Sequence, residues 1–255
     1  MDNIDETKRL ENQAKQKGYL VSDELKDIDL PMRGQFLDAG CGSGLLARYL
    51  YEQSSRRDII AVDLSELRLK QAENAARSLG QKIKFQTEDL EDLSFRDDSF
   101  DVVVCRYVME HVRKPELILK ELFRVLKPGG KLVIINFDGI VVNLYSRDQT
   151  LQNQLRHLAQ SYPGDLYIAR KLPTLLESTN FKEIRWSAEC HSFDGHEREV
   201  EAGNTKDRFH FAQQFLQQTF GSAEQAQAFI SRYFDAMKDP HTTLFYTKFV
   251  VQGSK

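Results

Sequence analysis

Short apolar runs alternate with amphipathic stretches from residue 35 to residue 137, and this alternation restricts the fold more than any other feature. Five runs have strand length, and helical patterns separate most of them: "QFLDA", "DIIAVD", "KIKFQT", "FDVVVCR" and "KLVIINF". Strands and helices that alternate at this spacing form βαβ units with parallel strands and right-handed crossovers. The uninterrupted apolar run "FDVVVCRYV" is typical of a strand buried on both faces. The predicted class is therefore α/β, a mostly parallel sheet with helices on both faces.

Beyond the fifth run, the pattern predicts helices at 147–161 and 169–181 and strands at 181–193 and 242–253. Between these strands, residues 194–240 contain two stretches of apolar residues at helical spacing, which predict two amphipathic helices. These helices either pack on each other or on the sheet, or form a lid or wall of a substrate pocket. A charge-laced helix is predicted over 5–18. The predicted organisation is an N-terminal helical cap (1–34), a main domain (35–193 and 241–255) and a helical insertion (194–240).

Composition excludes several classes of protein. The net charge of −3 gives no global attraction to nucleic acid or anionic lipid. No apolar run approaches the roughly 18 residues that cross a membrane, and the polar N-terminus lacks the apolar core of a secretory signal. Three distant cysteines, Cys41, Cys105 and Cys190, have no metal-type spacing and indicate reduced thiols. We therefore expect a cytoplasmic protein without a metal site, a membrane span or a nucleic-acid partner.

The loop after the first strand combines glycines with an acid. In "FLDAGCGSG", Asp38 precedes glycines at 40, 42 and 44, and Leu45 stands where the dinucleotide fingerprint places its third glycine. A carboxylate repels a pyrophosphate by roughly 4 kcal/mol per charge at about 4 Å and an effective dielectric near 20. A cationic amine would be attracted instead. The loop therefore favours a ligand that carries an ammonium group and no phosphate.

S-adenosylmethionine (SAM) has these properties. Asp63, at the end of the second strand, can accept hydrogen bonds from both ribose hydroxyls, and Asp89 can accept one from the adenine amino group. Taken singly, Asp63 can also be a helix cap or a surface acid. Asp89 can also be a solvated turn acid beside Glu88 and Glu91. These acids follow different strands, and the carboxyl ends of parallel strands meet at one crevice.

The segments "FLDAGCGSG", "AVDLS", "TEDLEDLSFRDDSFDVVVCRYVMEHV" and "ELFRVLKPGGKLVI" resemble the successive motifs of class I, Rossmann-like SAM-dependent methyltransferases. They are most similar to the small-molecule branch with quinone and sterol methyltransferases. The resemblance implies a seven-stranded sheet of order 3-2-1-4-5-7-6 with an antiparallel strand seven. It implies cofactor contacts at Tyr19, Asp38, Gly40, Cys41, Gly42, Gly44, Asp63, Leu64, Asp89, Leu90, Arg106 and His111.

Within that set, the resemblance assigns the methionine moiety to the glycine loop, the ribose to Asp63 and the adenine to Leu64, Asp89 and Leu90. The backbone at Arg106 would meet the cofactor amine, and Tyr19 would close over the cofactor. The 194–240 insertion departs from the short link usual in this family, so relatives do not define the substrate.

His111, with Glu110 beside it, is the predicted general base for a hydroxyl acceptor. The alternative is that His111 only packs near the cofactor. The predicted function is methylation of a small, partly apolar molecule at O, N or C. Nucleic-acid or protein methylation is less favoured, because "CRYV" replaces the Asn/Asp-Pro-Pro-aromatic motif of base-amine methylases. A non-catalytic binding protein is a third possibility, and the oligomeric state is left open.

Overall fold

The computed structural model describes residues 18–255, and the predicted helix at 5–18 lies almost entirely outside them. The described helices are α1 (Val21–Leu25), α2 (Leu45–Gln53), α3 (Glu66–Ser78), α4 (Pro115–Val125), α5 (Gln149–Ser161), α6 (Leu172–Ser178), α7 (Gly195–Phe211), α8 (Gln213–Phe220) and α9 (Ala223–Lys238). Short 3₁₀ turns lie at Met109–His111 and Ala169–Lys171. Across residues 18–255, no helix combines the length and apolar character that a membrane crossing needs.

The strands form one mixed sheet. They are β1 (Gly34–Ala39), β2 (Arg57–Asp63), β3 (Lys84–Thr87), β4 (Phe100–Arg106), β5 (Leu126–Asp138), β6 (Leu144–Tyr145), β7 (Lys182–Ser192) and β8 (Thr243–Ser254). Strands β3-β2-β1-β4-β5 are parallel neighbours, and β8 lies antiparallel between β5 and β7. Since β7 and β8 are the predicted strands six and seven, the predicted order is confirmed.

The sheet departs from the prediction by one short strand. Leu144 and Tyr145 of β6 pair antiparallel with Leu244 and Thr243, where β8 extends beyond its ladder with β5. A two-residue strand has no alternation of its own, so the sequence pattern gave no sign of it.

Alternate strand residues enter two different cores. Leu37, Val103 and Leu132 face the core that α4 and α6 cover. Their neighbours Phe36, Val102 and Val133 face the core that α1, α2 and α3 cover. Successive side chains of a strand point to opposite faces, so continuous apolar runs are needed where both faces are covered. The central strands are thereby fixed, and their carboxyl ends define one edge where the loops collect.

The insertion contains three helices, and the prediction of two was wrong. The chain leaves helical geometry at Ala212 (φ −91°, ψ 8°), which separates α7 from α8. The first half of α7 has no apolar periodicity. The buried residues of α7 include Glu201, Asn204 and Thr205, polar residues that sequence patterns assign to solvent. The apolar residues of α8 and α9 pack with α5 in a separate cluster that includes Leu155, Leu216, Phe229 and Tyr233.

Candidate functional site

The glycine loop connects β1 to α2 in a tight turn that only glycine fits at two positions. Gly40 (φ 78°) and Gly44 (φ 71°) adopt left-handed backbone conformations. A Cβ at Gly40 would lie 2.5 Å from Val108 Cγ2, and one at Gly44 would lie 2.8 Å from Ala72 Cβ. The loop is therefore held against two elements, the turn after β4 and α3, and its backbone is brought close to the strand ends.

Asp38 is buried beneath this loop, with 1% of its surface exposed. Its Oδ2 accepts the N–H of Ala47, in the first turn of α2, at 3.0 Å. Burial raises the pKa of Asp38 to about 7, although the Ala47 hydrogen bond and the positive charge of Arg106 act in the opposite direction. A cation placed at the loop would favour the charged form, so the site is poised to take a positive ligand.

Asp63 joins the end of β2 to the glycine loop. Its Oδ2 accepts the N–H of Gly42 at 2.9 Å, and its Oδ1 accepts the N–H of Ser65 at 3.0 Å. The cap of α3 is Ser65, whose hydroxyl accepts the N–H of Arg68. Asp63 is therefore not the helix cap. Each of its oxygens keeps a lone pair for a further donor, such as a ribose hydroxyl.

Cys41 lies inside the loop and is buried. Burial, followed by the negative charges of Asp38 and Asp63, raises the pKa of the Cys41 thiol well above its usual value. The thiol therefore stays protonated, which suits a small packing residue and not a nucleophile.

The residues expected to contact adenine lie at the ends of β2 and β3 but differ in environment. Leu64 is 68% exposed, beside Asp63. Asp89 is exposed, and its Oδ1 accepts the N–H of Glu91 at 2.9 Å. Leu90 is buried in the core beneath α4. The N–H of Glu88 donates to the carbonyl of Asp63, which keeps these two strand ends together. Their contact with a ligand stays a prediction.

The side chain of Arg106, at the end of β4, forms hydrogen bonds with other residues of the protein. Its Nε donates to Glu24 Oε2 at 2.6 Å, and its Nη2 donates to the carbonyl of Tyr19 at 2.9 Å. Glu24 is buried, and it also accepts hydrogen bonds from Tyr107 and Lys248. This ionic cluster fixes α1 against the ends of β4 and β8. The following residue, Tyr107, has a left-handed φ of 57°, an unusual backbone state for a tyrosine.

Tyr19 is buried in a cluster of aromatic rings at the ends of β4, β5 and β8. Its ring packs at 5.3 Å from Phe137, 6.0 Å from Tyr246 and 6.4 Å from Tyr107, measured between ring centroids. Its hydroxyl accepts a hydrogen bond of 2.8 Å from Arg208 Nη2 of α7. Tyr19 therefore lies next to Arg106 and connects the N-terminal segment to the insertion. Closure of Tyr19 over a cofactor stays a prediction.

The predicted catalytic pair lies in the 3₁₀ turn after β4. His111 Nδ1 is 2.6 Å from the hydroxyl of Tyr162, and its Nε2 is 3.8 Å from Glu110 Oε1. Glu110 is 5% exposed, and its Oε2 is buried without a hydrogen-bond partner. Val108, in the same segment, touches the loop at Gly40. The structure thus brings the imidazole, a buried carboxylate and a phenol together beside the glycine loop.

Three site residues escaped sequence reasoning: Glu24, Arg208 and Tyr162. Each pairs with a residue at least 51 positions away, so no local spacing marks it. For Arg208, the segment "TKDRFHF" gives one signal, because this cation stands next to apolar residues of a helix. A buried arginine needs a partner, but the sequence does not show which residue that partner is.

Residues 37–134, which contain the loop, Asp63, Asp89 and His111, match the family model described as "Methyltransferase domain". Over this segment, which is less than half of the chain, the protein is similar to methyltransferase domains. The matched residues contain β2, β3 and β4 and the end of β1, the part of the sheet that holds the glycine loop.

Two curated relatives of this chain are named for small molecules. It is 41% identical over 97 residues to the ubiquinone biosynthesis O-methyltransferase of Idiomarina loihiensis, covering 38% of this chain and 39% of the relative. It is 30% identical over 167 residues to the chloroplastic tocopherol O-methyltransferase of Arabidopsis thaliana, covering 62% and 47%. The matched regions thus span about half or less of these two relatives.

Solved structures share the fold over most of the chain. The [4+2]-cyclase SpnF matches with a TM-score of 0.62 and 18% identity, over 92% of this chain and 79% of that one. A phosphoethanolamine N-methyltransferase 2 of Haemonchus contortus, in complex with SAM, matches with a TM-score of 0.57 and 18% identity, over 91% and 50%. At this level of identity the likeness concerns the fold alone.

Proposed function

We propose that the protein transfers a methyl group from SAM to a hydroxyl group of a small, partly apolar molecule. The observation that carries the proposal is the pair of carboxylates at the glycine loop. Asp38 is buried beneath it, and Asp63 is bound to the N–H of Gly42 within it. Two acids and an exposed apolar Leu64 suit an ammonium, a ribose and an adenine better than a phosphate chain.

The residues present fit this cofactor. Asp38 would face the positive charge of the methionine moiety, and Asp63 would accept from the ribose hydroxyls. Gly40 and Gly44 let the loop pack tightly against Val108 and Ala72, where a Cβ would clash, so its backbone is fixed at the strand ends where a ligand would bind. Leu64 would lie against the adenine, with Asp89 near its amino group. When bound, SAM supplies a methyl group already activated by the sulfonium.

The protein's part in such a reaction is to align the reactants, exclude water and remove one proton. Glycines at the loop hold the backbone close to one reactant. Tyr19, Phe137 and Tyr246 form a dry aromatic wall beside the end of β4, which would exclude water from the reacting atoms. His111 would receive the proton of the acceptor hydroxyl, with the Glu110 carboxylate 3.8 Å away to favour the resulting imidazolium.

Support for a hydroxyl acceptor comes from two sources. The two curated relatives above are named as O-methyltransferases. Independently, an imidazole held between a carboxylate and a phenol is useful for deprotonation, which a neutral amine acceptor does not need. The helices α7 to α9 would form the far wall of the acceptor pocket. In this proposal 1–34 is a cap over the site and 194–240 is a substrate wall.

The test must also distinguish the alternatives to small-molecule methylation. The fold also occurs in SpnF, named as a [4+2]-cyclase. A chain that binds SAM and transfers no methyl group would resemble the non-catalytic alternative. Methylation of RNA or protein would instead produce label in macromolecules.

The experiment is binding followed by transfer. Isothermal titration with SAM and with S-adenosylhomocysteine should give saturable binding to the wild-type protein. Metabolite extracts incubated with methyl-labelled SAM should then yield a labelled small molecule, identified by mass spectrometry. No binding would remove the proposal. Binding with label only in RNA or protein, or with no label, would favour the alternatives.

A further inference from the structure

Three polar groups meet at the 3₁₀ turn Met109–His111: the buried Glu110 carboxylate, the exposed His111 imidazole and the Tyr162 hydroxyl. His111 Nδ1 is hydrogen-bonded to the Tyr162 hydroxyl at 2.6 Å, whereas Nε2 lies 3.8 Å from Glu110 Oε1, within ion-pair range but beyond hydrogen-bond range. Nδ1 is therefore occupied by the phenol. A substrate proton could reach Nδ1 only through Tyr162.

The orientation of the hydrogen bonds follows from charge. A lone pair on Nε2 would face a carboxylate, which is unfavourable, so Nε2 carries the proton in the neutral ring. Nδ1 is then the acceptor, and the Tyr162 hydroxyl donates to it. The phenol oxygen retains its own lone pairs, which can accept a hydrogen bond from another hydroxyl.

Tyr162 is held in this position by contacts on two sides. Its ring packs edge-on against Phe215 of α8, with ring centroids 5.6 Å apart. Two residues later, a Cβ on Gly164 would lie 2.0 Å from the Glu110 carbonyl oxygen, so the loop presses directly on the 3₁₀ turn. The N–H of Asp165 donates to that same carbonyl at 3.0 Å. The insertion and the loop after α5 thus place the phenol at the imidazole.

We propose that Tyr162 is a catalytic residue that relays the proton of an aromatic hydroxyl acceptor to His111, with Glu110 as the positioning carboxylate. This inference rests on the proposed function and deepens it. As the acceptor oxygen bonds to the methyl carbon, the carbon–sulfur bond breaks and its electron pair stays on sulfur. The acceptor proton passes to Tyr162 Oη, and the Tyr162 proton passes to His111 Nδ1. The Glu110 carboxylate balances the imidazolium that results.

The Tyr162 phenol also favours an acceptor with an aromatic hydroxyl group. Burial raises the pKa of Tyr162 above its usual value, with the Glu110 charge acting in the same direction, so the hydroxyl stays protonated and able to donate. A phenolic acceptor is more acidic than this buried hydroxyl, so its proton can pass to Tyr162 Oη as the Tyr162 proton passes to His111. Edge-on packing against Phe215 beside it suits a planar ring.

The first test needs no activity. Long-range ¹H–¹⁵N NMR spectra of the ¹⁵N-labelled protein report which nitrogen of each histidine carries the proton, and His111→Gln identifies the His111 signals. The relay requires an unprotonated Nδ1 and a protonated Nε2 in the neutral ring. It also requires that Tyr162→Phe shift the Nδ1 signal, while Tyr145→Phe, at an exposed tyrosine, leaves it in place. A proton on Nδ1, or an Nδ1 signal unmoved in Tyr162→Phe, would overturn it.

The second test measures transfer of labelled methyl from SAM to catechol. Tyr162→Phe should lower kcat by about 10²- to 10⁴-fold, the range for loss of a proton-transfer group, with unchanged affinity for SAM. Tyr145→Phe should retain the wild-type rate. A Tyr162→Phe enzyme at full rate would overturn the relay alone. A wild-type protein that fails to bind SAM would instead remove the proposed function, and SAM binding without transfer to catechol would overturn the aromatic hydroxyl acceptor.

Discussion

The guanidinium of Arg208 donates a 2.8 Å hydrogen bond to the hydroxyl of Tyr19, across 189 positions of sequence. Arg208 also donates to the buried carboxylate of Glu201 at 2.5 Å. The side-chain amide of Asn204 donates to the other oxygen of that carboxylate at 3.0 Å. A single buried cation therefore holds the insertion to the segment that precedes β1. The insertion is connected to the sheet by polar groups as well as by its apolar cluster.

Replacing Arg208 should cost much stability. Arg208→Leu would leave Glu201 as a buried charge without its cation, which costs about 3–5 kcal/mol. Tyr19→Phe removes one hydrogen bond to a charged donor and keeps the ring, so we expect a loss of about 1.5–3 kcal/mol. Urea unfolding measures both. An Arg208→Leu protein as stable as Tyr19→Phe would contradict the importance of the buried pair.

The sequence predicted the sheet better than the insertion, and the reason is physical. Strands β1, β2, β4 and β5 are covered on both faces, so their apolar runs reveal them directly. Helix α7 is held by the pair of Glu201 and Arg208, which depends on tertiary contacts and leaves no periodic signal. Asp38 and Asp63 could be found because each stands at a strand end. Tyr162 could not, since only the packing of its loop on Glu110 brings it to His111.

Asp38 should make stability depend on pH. Burial raises its pKa from the ordinary aspartate value of 3.8 to about 7 in the folded protein. Between these values the folded state holds a proton that the unfolded chain has released, so stability falls as the pH rises from about 4 to about 7. Full deprotonation costs about 4 kcal/mol. Asp38→Asn keeps an acceptor for the Ala47 N–H and removes this cost.

The measurement for Asp38 is urea unfolding of both proteins between pH 4.5 and 8. The stability of Asp38→Asn relative to the wild type should increase as the pH rises through this window, and level off above pH about 8. A difference between the two proteins that stays constant across the window would show that Asp38 does not titrate there.

SAM binding should release a proton near pH 6. A cation beside Asp38 favours its carboxylate over the neutral acid that prevails without ligand at that pH. Titration calorimetry in two buffers of different ionisation enthalpy should therefore give different heats at pH 6 and nearly equal heats at pH 8.5. Asp38→Asn serves as the control and should show no buffer dependence. Equal wild-type heats at pH 6 would place the cation of SAM elsewhere.

Replacing Asp63 should weaken the binding of SAM more than it lowers the stability of the fold. Two ribose hydrogen bonds to a charged acceptor contribute about 1.5–3 kcal/mol each, so Asp63→Ala should weaken SAM binding by about 100-fold or more. Asp58→Ala is the matched control, an acid of the same strand that bonds the Gln35 side chain and no loop residue. Calorimetry measures affinity, and urea unfolding checks that both variants are folded. Equal affinities of the two variants would refute the ribose assignment.

Gly164→Ala should disturb the catalytic turn from a distance. Its new Cβ would lie 2.0 Å from the Glu110 carbonyl oxygen and 3.0 Å from the His111 carbonyl carbon, so backbone must move. We expect a loss of about 1–3 kcal/mol, the usual cost of overpacking, together with a changed His111 NMR signal as Tyr162 shifts. Gly203→Ala, in α7 with open space at the same atom, should instead gain about 0.5–1 kcal/mol. A Gly164→Ala protein with wild-type stability and an unmoved His111 signal would show that this loop does not set the Tyr162 position.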